Sequence, residues 1–556
     1  MAHSDPSLRI IAELSVEKIK AGSRSKTPSS TITSSLSQSQ EEDDLIRHWV
    51  TDCVGNHSSC GRGRSRDDYV PSRLVHIGAC GSMWTLHLAS RGEILSHKYI
   101  SLSYRWGSYQ QLKLTTENLD QFRSENHISS LPKTFRDLFY VARLLSVDYI
   151  WIDSLCIIQD SVADWEFESR QMRSVYANSY CTVAASWGSD PTSGLYQHRS
   201  LQPALRCAFI KTNWESLQNA DLDTLRVFPF DGWNQTLCTH PLHSRGWALQ
   251  ERYLSARVLY FTRDQILWEC DKHRLCQLFP YDAPEVYTNA GRHRPRLSSF
   301  IGRDSPDQQI AMSTELHTAW HDIVRLYSQA KLTKVSDKFV ALDGLVKLFA
   351  QLSGDTYIAG LWLSTLWEDL LWCTYGWDNL QRYSEYVAPT WSWASVNGPV
   401  WYSGYFENTV YPTQLSSYQI QTSSKLPGSK GTWIYDFLEL RGYAPSFVVD
   451  APYKWETVDE ELQTICTIDV GKKHLMSATV FFLLLRLSPH PNSQHYTGEG
   501  IALVHAENST EEFVRVGRFS IEKESEKHLN RFGMLRTAAG DVIVDPSVEK
   551  RTFKII

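Results

Sequence analysis

The sequence predicts an α/β fold: a parallel sheet with flanking helices, followed by a helical Trp-rich region and a β-rich C-terminal module. Three observations predict it. Between residues 97 and about 200, short apolar runs alternate with amphipathic helical stretches, the order of a parallel sheet with crossover helices. Residues 281–425 are rich in Trp and carry helical spacings. Residues 426–556 carry short apolar or alternating runs between turn residues. With 42% hydrophobic and 21% charged residues, the chain has material for packed cores.

Residues 1–44 read as a disordered tail, Ser/Thr-rich over Ser23 to Gln40 and acidic over Glu41 to Asp44, with a short helix around Leu8 to Ile19. Residues 45–96 form an N-terminal preface that includes the charged loop Arg62 to Asp68. The domain at 97–280 opens with a strand at Tyr99 to Tyr104. Leu131-Pro132 leads into a helix whose stripe is Phe135, Leu138, Phe139, Ala142 and Leu145. Tyr149 to Ile152 is a strand, Asp164 to Tyr176 a helix capped by Asp164, and Thr182 to Ala185 a strand. Downstream, Trp320 to Leu332 and Lys338 to Phe349 read as helices. Phe437 to Leu440, Val480 to Leu485 and Phe513 to Val516 read as strands.

Composition narrows the function. A net charge of −6 argues against a protein that works by neutralising nucleic-acid phosphate. Eleven Cys, an odd number with no dense framework, argue against a disulfide-stapled secreted fold. Met1 to Arg9 has no apolar signal core, and Val480 to Leu485 is far too short to span a bilayer. The expectation is a cytoplasmic protein with no membrane span. No Walker A loop, dinucleotide fingerprint, nucleophile elbow or HExxH motif is present, so no resident cofactor is expected.

Chemistry could sit at several places. Trp165, Glu168, Met172 and Tyr176 share one helical face, which puts a carboxylate among apolar neighbours beside the carboxyl end of a strand. Such a carboxyl can act as acid, base or ribose-hydroxyl acceptor. It can equally be a structural partner of an Arg such as Arg105, Arg143 or Arg245. The strand exit Ser103-Tyr104-Arg105-Trp106-Gly107 offers stacking faces, a guanidinium fork and a tight turn, or is an ordinary exit with a core Trp. Asp153 and Asp160 read as anchors for loop amides, and Cys156 as a buried thiol rather than a nucleophile, since no His lies in its strand–helix unit. Cys53, His57 and Cys60, with His76 and Cys80 downstream, are residues that zinc could use, but they match no standard zinc spacing, so the expectation is no metal with that alternative left open. Arg245 to Arg252 reads as a solvated mixed-charge helix start whose apolar flank, Tyr253, Leu254, Val258 and Leu259, packs on the first domain.

Taken in order, YISLSYRWG (99–107), LPKTFRD (131–137), YIWIDSLCIIQD (149–160), Asp164-Trp165 with Glu168, Met172 and Val175-Tyr176, and RGWALQE (245–251) resemble the successive blocks of the fungal heterokaryon incompatibility (HET) domain. Trp49, Cys53, His57, Cys60 and Pro71 to Leu74 resemble the usual preface of such proteins, and Tyr357 to Trp372 with APTWSWA (388–394) their downstream region. The resemblance implies nonself recognition between fungal cells and programmed cell death, with other incompatibility proteins or a second copy of the chain as partners. It also implies a flavodoxin-like sheet, distantly similar to Toll/interleukin-1 receptor (TIR) domains, some of which hydrolyse NAD with a Glu on a helix beside the sheet. By block position that residue is Glu168 here. Ser103, Tyr104, Arg105, Trp106, Asp153 and Arg245 are the expected substrate-binding residues, with NAD a substrate rather than a cofactor. Two readings stay open: an NAD glycohydrolase, and a non-catalytic signalling module that assembles through its HET domain.

Overall fold

The structure, a computed structural model of the chain, describes residues 14–18, 40–58, 60, 69–78, 81–88, 98–108, 112–197, 208–212, 223–289, 313–374, 382–404, 409–419, 437–448, 464–468, 478–489, 496–507, 509–521, 526–536, 542–545 and 547–556. Arg62 to Asp68, Cys80 and most of the expected tail lie outside these residues. The chain forms two compact units. The first is Met1–Ser305 with Ala341–Leu345, and the second is Pro306–Val340 with Val346–Ile556.

The first unit is organised by a nine-stranded sheet. Its elements are α1 (Gln40–Asn56), β1 (Arg73–Ile77), β2 (Met83–Leu88), β3 (Tyr99–Ser103), β4 (Asn126–His127), α2 (Lys133–Leu144), β5 (Tyr149–Trp151), α3 (Val162–Asn178), β6 (Cys181–Ala185), α4 (Gly246–Leu254), β7 (Arg257–Phe261), β8 (Ile266–Cys270) and β9 (Arg274–Cys276). The strand order is β9-β8-β7-β6-β3-β5-β1-β2-β4. Only the middle is parallel: β3 pairs with β5 and β6, and β6 with β7. Both flanks are antiparallel, so the expected parallel sheet is the core of a mixed one. The central parallel strands are mostly apolar, with Ser101, Ser103 and Thr182 buried among the apolar residues. All five residues of β3 and of β6 are buried.

The helix stripes explain the layering. Phe135, Leu138, Phe139 and Ala142 of α2 are buried, as the spacing predicts. Helix α3 runs two residues beyond the expected span at each end. Its cap is Ser161, whose hydroxyl accepts from the Asp164 amide, so Asp164 is not the cap. Within the expected tail, Leu14–Lys18 is a strand pairing with Asp223–Pro229, and α1 already begins at Gln40. Gly107 makes the turn after β3 at φ 64°, where a Cβ would stand 2.6 Å from the Asp190 Cβ. Ala341–Leu345 is seated in this unit through Gly344, whose amide donates to the Gln250 Oε1 at 2.8 Å.

The second unit carries an eight-stranded sheet. Its strands are β10 (Gln414–Gln419), β11 (Phe437–Gly442), β12 (Ser446–Val448), β13 (Thr464–Ile468), β14 (Thr479–Pro489), β15 (Tyr496–His505), β16 (Glu512–Ile521) and β17 (Arg551–Ile555). The order is β10-β11-β17-β16-β15-β14-β12, with β13 paired to β16. The three expected apolar runs lie in β11, β14 and β16. Between residues 281 and 425, the longer helices among the described residues are Thr314–Ser328 and Asp343–Ser353. The other described residues of this stretch are turns, short strands and short helical turns, with Trp362, Trp372, Trp391 and Trp393 buried among them. Helical spacing therefore overstated that region: its tryptophans pack from loops as much as from helices.

Candidate functional site

The carboxyl ends of β3 and β5 lie side by side in the parallel core, the place where open α/β sheets form ligand crevices. Asp153 follows β5 directly. Its Oδ1 accepts from the Ser154 amide at 2.6 Å, and its Oδ2 from the Trp106 indole at 2.8 Å. Arg245 precedes α4 and donates to the Tyr104 carbonyl. The Tyr104 hydroxyl donates to Ser154 at 2.9 Å. Ser103, Tyr104, Trp106, Asp153 and Arg245 are thus brought together. Arg105 is the half-buried residue between Tyr104 and Trp106.

Beneath them lies Glu251 of α4, 4% exposed. Burial pushes its carboxyl up to about 7, against the opposing pull of Arg245 and the hydroxyls of Ser103 and Tyr176, with Asp153 adding to the rise. Asp153 is raised as well, by burial first, with Arg245 and the Trp106 indole opposing. As a residue Asp153 is only half covered, but its carboxylate is enclosed by protein. The negative charge of Asp153 works with burial against ionisation of Glu251, and the Arg245 guanidinium works for it. The Glu251 Oε2 is buried with no hydrogen-bond partner among the described residues.

Sequence reasoning missed Glu251 because Arg245 to Arg252 looked like a solvated face. That expectation fails for Gln250 and Glu251, which are 2% and 4% exposed. The signal was present: Ala248, Glu251 and Leu254, all buried, recur every three residues, which sets a carboxylate on an apolar stripe.

Glu168 lies elsewhere on the first unit's helices, 2% exposed. Its Oε1 meets the Arg73 guanidinium at 3.3 Å, and the same Arg73 nitrogen binds Asp164 at 2.6 Å. Burial raises the Glu168 carboxyl, with Ser72 and Arg73 opposing. Its partner is therefore Arg73 of β1, not the Arg105, Arg143 or Arg245 that the sequence suggested. Arg73 also donates to the Cys156 carbonyl at 2.7 Å, which ties β1 to the β5–α3 connection. The Cys156 thiol is buried and pushed up to about 12 by burial, and no His bonds to it among the described residues. Asp160 anchors a loop through the Thr116 amide at 2.9 Å.

The second unit has a cleft lined by His317, His321, Arg325, Glu368, Trp401 and Tyr402. Both imidazoles meet the Asp369 Oδ1 at 2.7 Å, and the Asp369 Oδ2 accepts from the Trp362 amide at 2.7 Å. These groups satisfy one another. No helix among the described residues is long and apolar enough to cross a membrane.

Comparison with known proteins bears on the first unit. Searches of curated proteins and of solved structures find no match to the chain. The family described as heterokaryon incompatibility protein (HET) matches residues 99–251, a span that opens with β3 and closes on Glu251 itself. The carboxyl-edge cluster is therefore built from residues of the span that matches the heterokaryon incompatibility (HET) domain.

Proposed function

We propose that the HET domain is the effector of a cell-death response and acts as a hydrolase of NAD at the cluster of Asp153, Arg245 and Glu251. The HET domain itself supports a heterokaryon incompatibility-type function. The observation that supports the catalytic reading is a half-buried Asp153 and a buried Glu251, both drawn by the Arg245 charge, with one Glu251 oxygen that has no hydrogen-bond partner among the described residues. The reaction breaks the bond between the ribose C1′ and the nicotinamide nitrogen. Nicotinamide leaves as a neutral ring with the bonding pair, water adds its oxygen to C1′, and one proton is released. The developing oxocarbenium charge favours a nearby carboxylate, and a second carboxyl can hold the ribose hydroxyls or take the water's proton. In this reading Arg245 takes the pyrophosphate, and half-buried Trp106 offers a ring face. In this reading Glu168, engaged with Arg73, supports the fold.

The test is NAD loss and nicotinamide release by the full chain and its Asp153→Asn, Glu251→Gln and Glu168→Gln variants, each checked for folding. Turnover by wild type that falls about 100-fold or more in the first two variants, and much less in the third, supports the reading. No turnover by folded wild type at high concentration transfers the function to the assembly reading. That second reading has its own observation: Val162 and Phe167 of α3 are 73% and 55% exposed.

A further inference from the structure

At the opposite, amino-terminal edge of the parallel strands, four ligand-type side chains converge. Cys53 and His57 come from the end of α1 and the residue after it, and Cys60 follows three residues later. Cys270 closes β8, 213 residues after His57. One ligand atom from each lies within 4.8 Å of all the others, and all four residues are buried. The Cys270 Sγ stands 3.6 Å from the His57 Nδ1. A tetrahedron with bonds of about 2.0–2.3 Å has edges of about 3.5–3.8 Å, so this separation fits two ligands of one zinc ion. The thiols are not disulfide-bonded.

The surroundings are those of a metal centre. The other imidazole nitrogen of His57 faces the Asp52 carboxylate at 3.4 Å, an arrangement that fixes the ring and leaves Nδ1 free to ligate. Asp52 is steadied by the Asn56 amide at 2.8 Å. Two donors point at sulfur: the Arg257 Nε at Cys53, 3.3 Å, and the His273 amide at Cys270, 3.3 Å. Charge closes as well. Three thiols lose their protons on binding, three thiolates and Zn²⁺ leave one negative charge, and Arg257 supplies one positive. The sequence-based expectation of no metal considered only local spacing, with His76 and Cys80 as further ligands. His76 instead packs on His87 and Tyr149, and the fourth ligand comes from the far end of the domain.

We propose that Cys53, His57, Cys60 and Cys270 hold one structural zinc ion that pins the N-terminal helix to the edge of the HET-domain sheet. With four protein ligands and no open position, the site is closed and non-catalytic. It acts beside the Trp49 anchor, whose indole donates to the Pro280 carbonyl at 2.7 Å and stacks on Trp268.

The test uses the full chain, purified without chelator under reducing conditions. Elemental analysis should find about one zinc per chain. Cys270→Ser and Cys53→Ser should lose most of it, and the exposed Cys238→Ser should keep it. Should the ligand variants fail to fold, cobalt(II) exchanged into wild type gives an independent reading. Intense thiolate-to-cobalt charge transfer with tetrahedral ligand-field bands supports the site. Metal-free folded wild type that takes up no cobalt in this form would overturn the proposal, as would a disulfide among these cysteines or full zinc retention in Cys270→Ser.

Discussion

Replacing Glu251 with Gln isolates the energetic cost of the buried carboxyl pair. The Glu251 carboxyl is raised from 4.5 to about 7 in the folded protein. The folded state therefore keeps a proton that the unfolded state loses, and this contribution to stability is fully present below pH 4.5 and is lost as pH rises through 7. At about 1.4 kcal/mol per pH unit, the upper limit of the loss is on the order of 3 kcal/mol. Gln mimics the protonated acid in shape and charge, so Glu251→Gln should match wild type at pH 4.5 and exceed it by up to that amount above pH 8. The assay is urea unfolding at a series of pH values, with midpoints read peptide by peptide by hydrogen exchange so that the first unit is followed alone. A difference that does not change with pH, or a variant less stable than wild type above pH 8, would refute the reasoning. The same variant should lose about 100-fold or more of the proposed turnover, since Gln can neither take up nor give back a proton.

Two further outcomes are expected. Arg73→Ala strips Glu168 and Asp164 of their cation and leaves a buried carboxyl uncompensated, which should destabilise the first unit by about 3–5 kcal/mol in urea unfolding. Adding Glu168→Leu to that variant should recover part of the loss. In the second unit the pH dependence runs the other way. Burial lowers His321 from 6.5 to about 4, so the unfolded state takes up its proton first, and stability present above pH 6.5 is lost as pH falls towards 4. Burial raises Asp369, but His317 and His321 outweigh it and hold the carboxyl at about 2, which adds a further loss as pH falls from 3.8. His321→Asn should flatten the first phase in the same peptide-resolved measurement.

What could be seen in the sequence was local and periodic. The strands at residues 99, 149 and 181 were legible because short, β-prone and mostly apolar runs suit strands buried in the middle of a sheet. The α2 stripe was legible because helix periodicity survives any tertiary arrangement. Pairing was not legible: β1 and β2 read as a preface to the domain, yet they extend its sheet antiparallel, a choice made by edge contacts rather than composition. The same distance hid the partners that define the sites. Arg73 reaches Glu168 from 95 residues away, and nothing near Cys53 points to Cys270. Glu251 was hidden for the opposite reason, since its charged neighbours in the same segment are more exposed than it is.

The seating of Ala341–Leu345 sets a rule for taking the chain apart. These five residues belong to the first unit, yet the chain on either side of them belongs to the second. A Cβ at Gly344 would stand 2.8 Å from the Gln250 Oε1 and 2.9 Å from the Arg173 Cβ, so the segment is fitted closely there. A fragment ending before residue 341 would carry an open socket at the residue next to the proposed reacting centre.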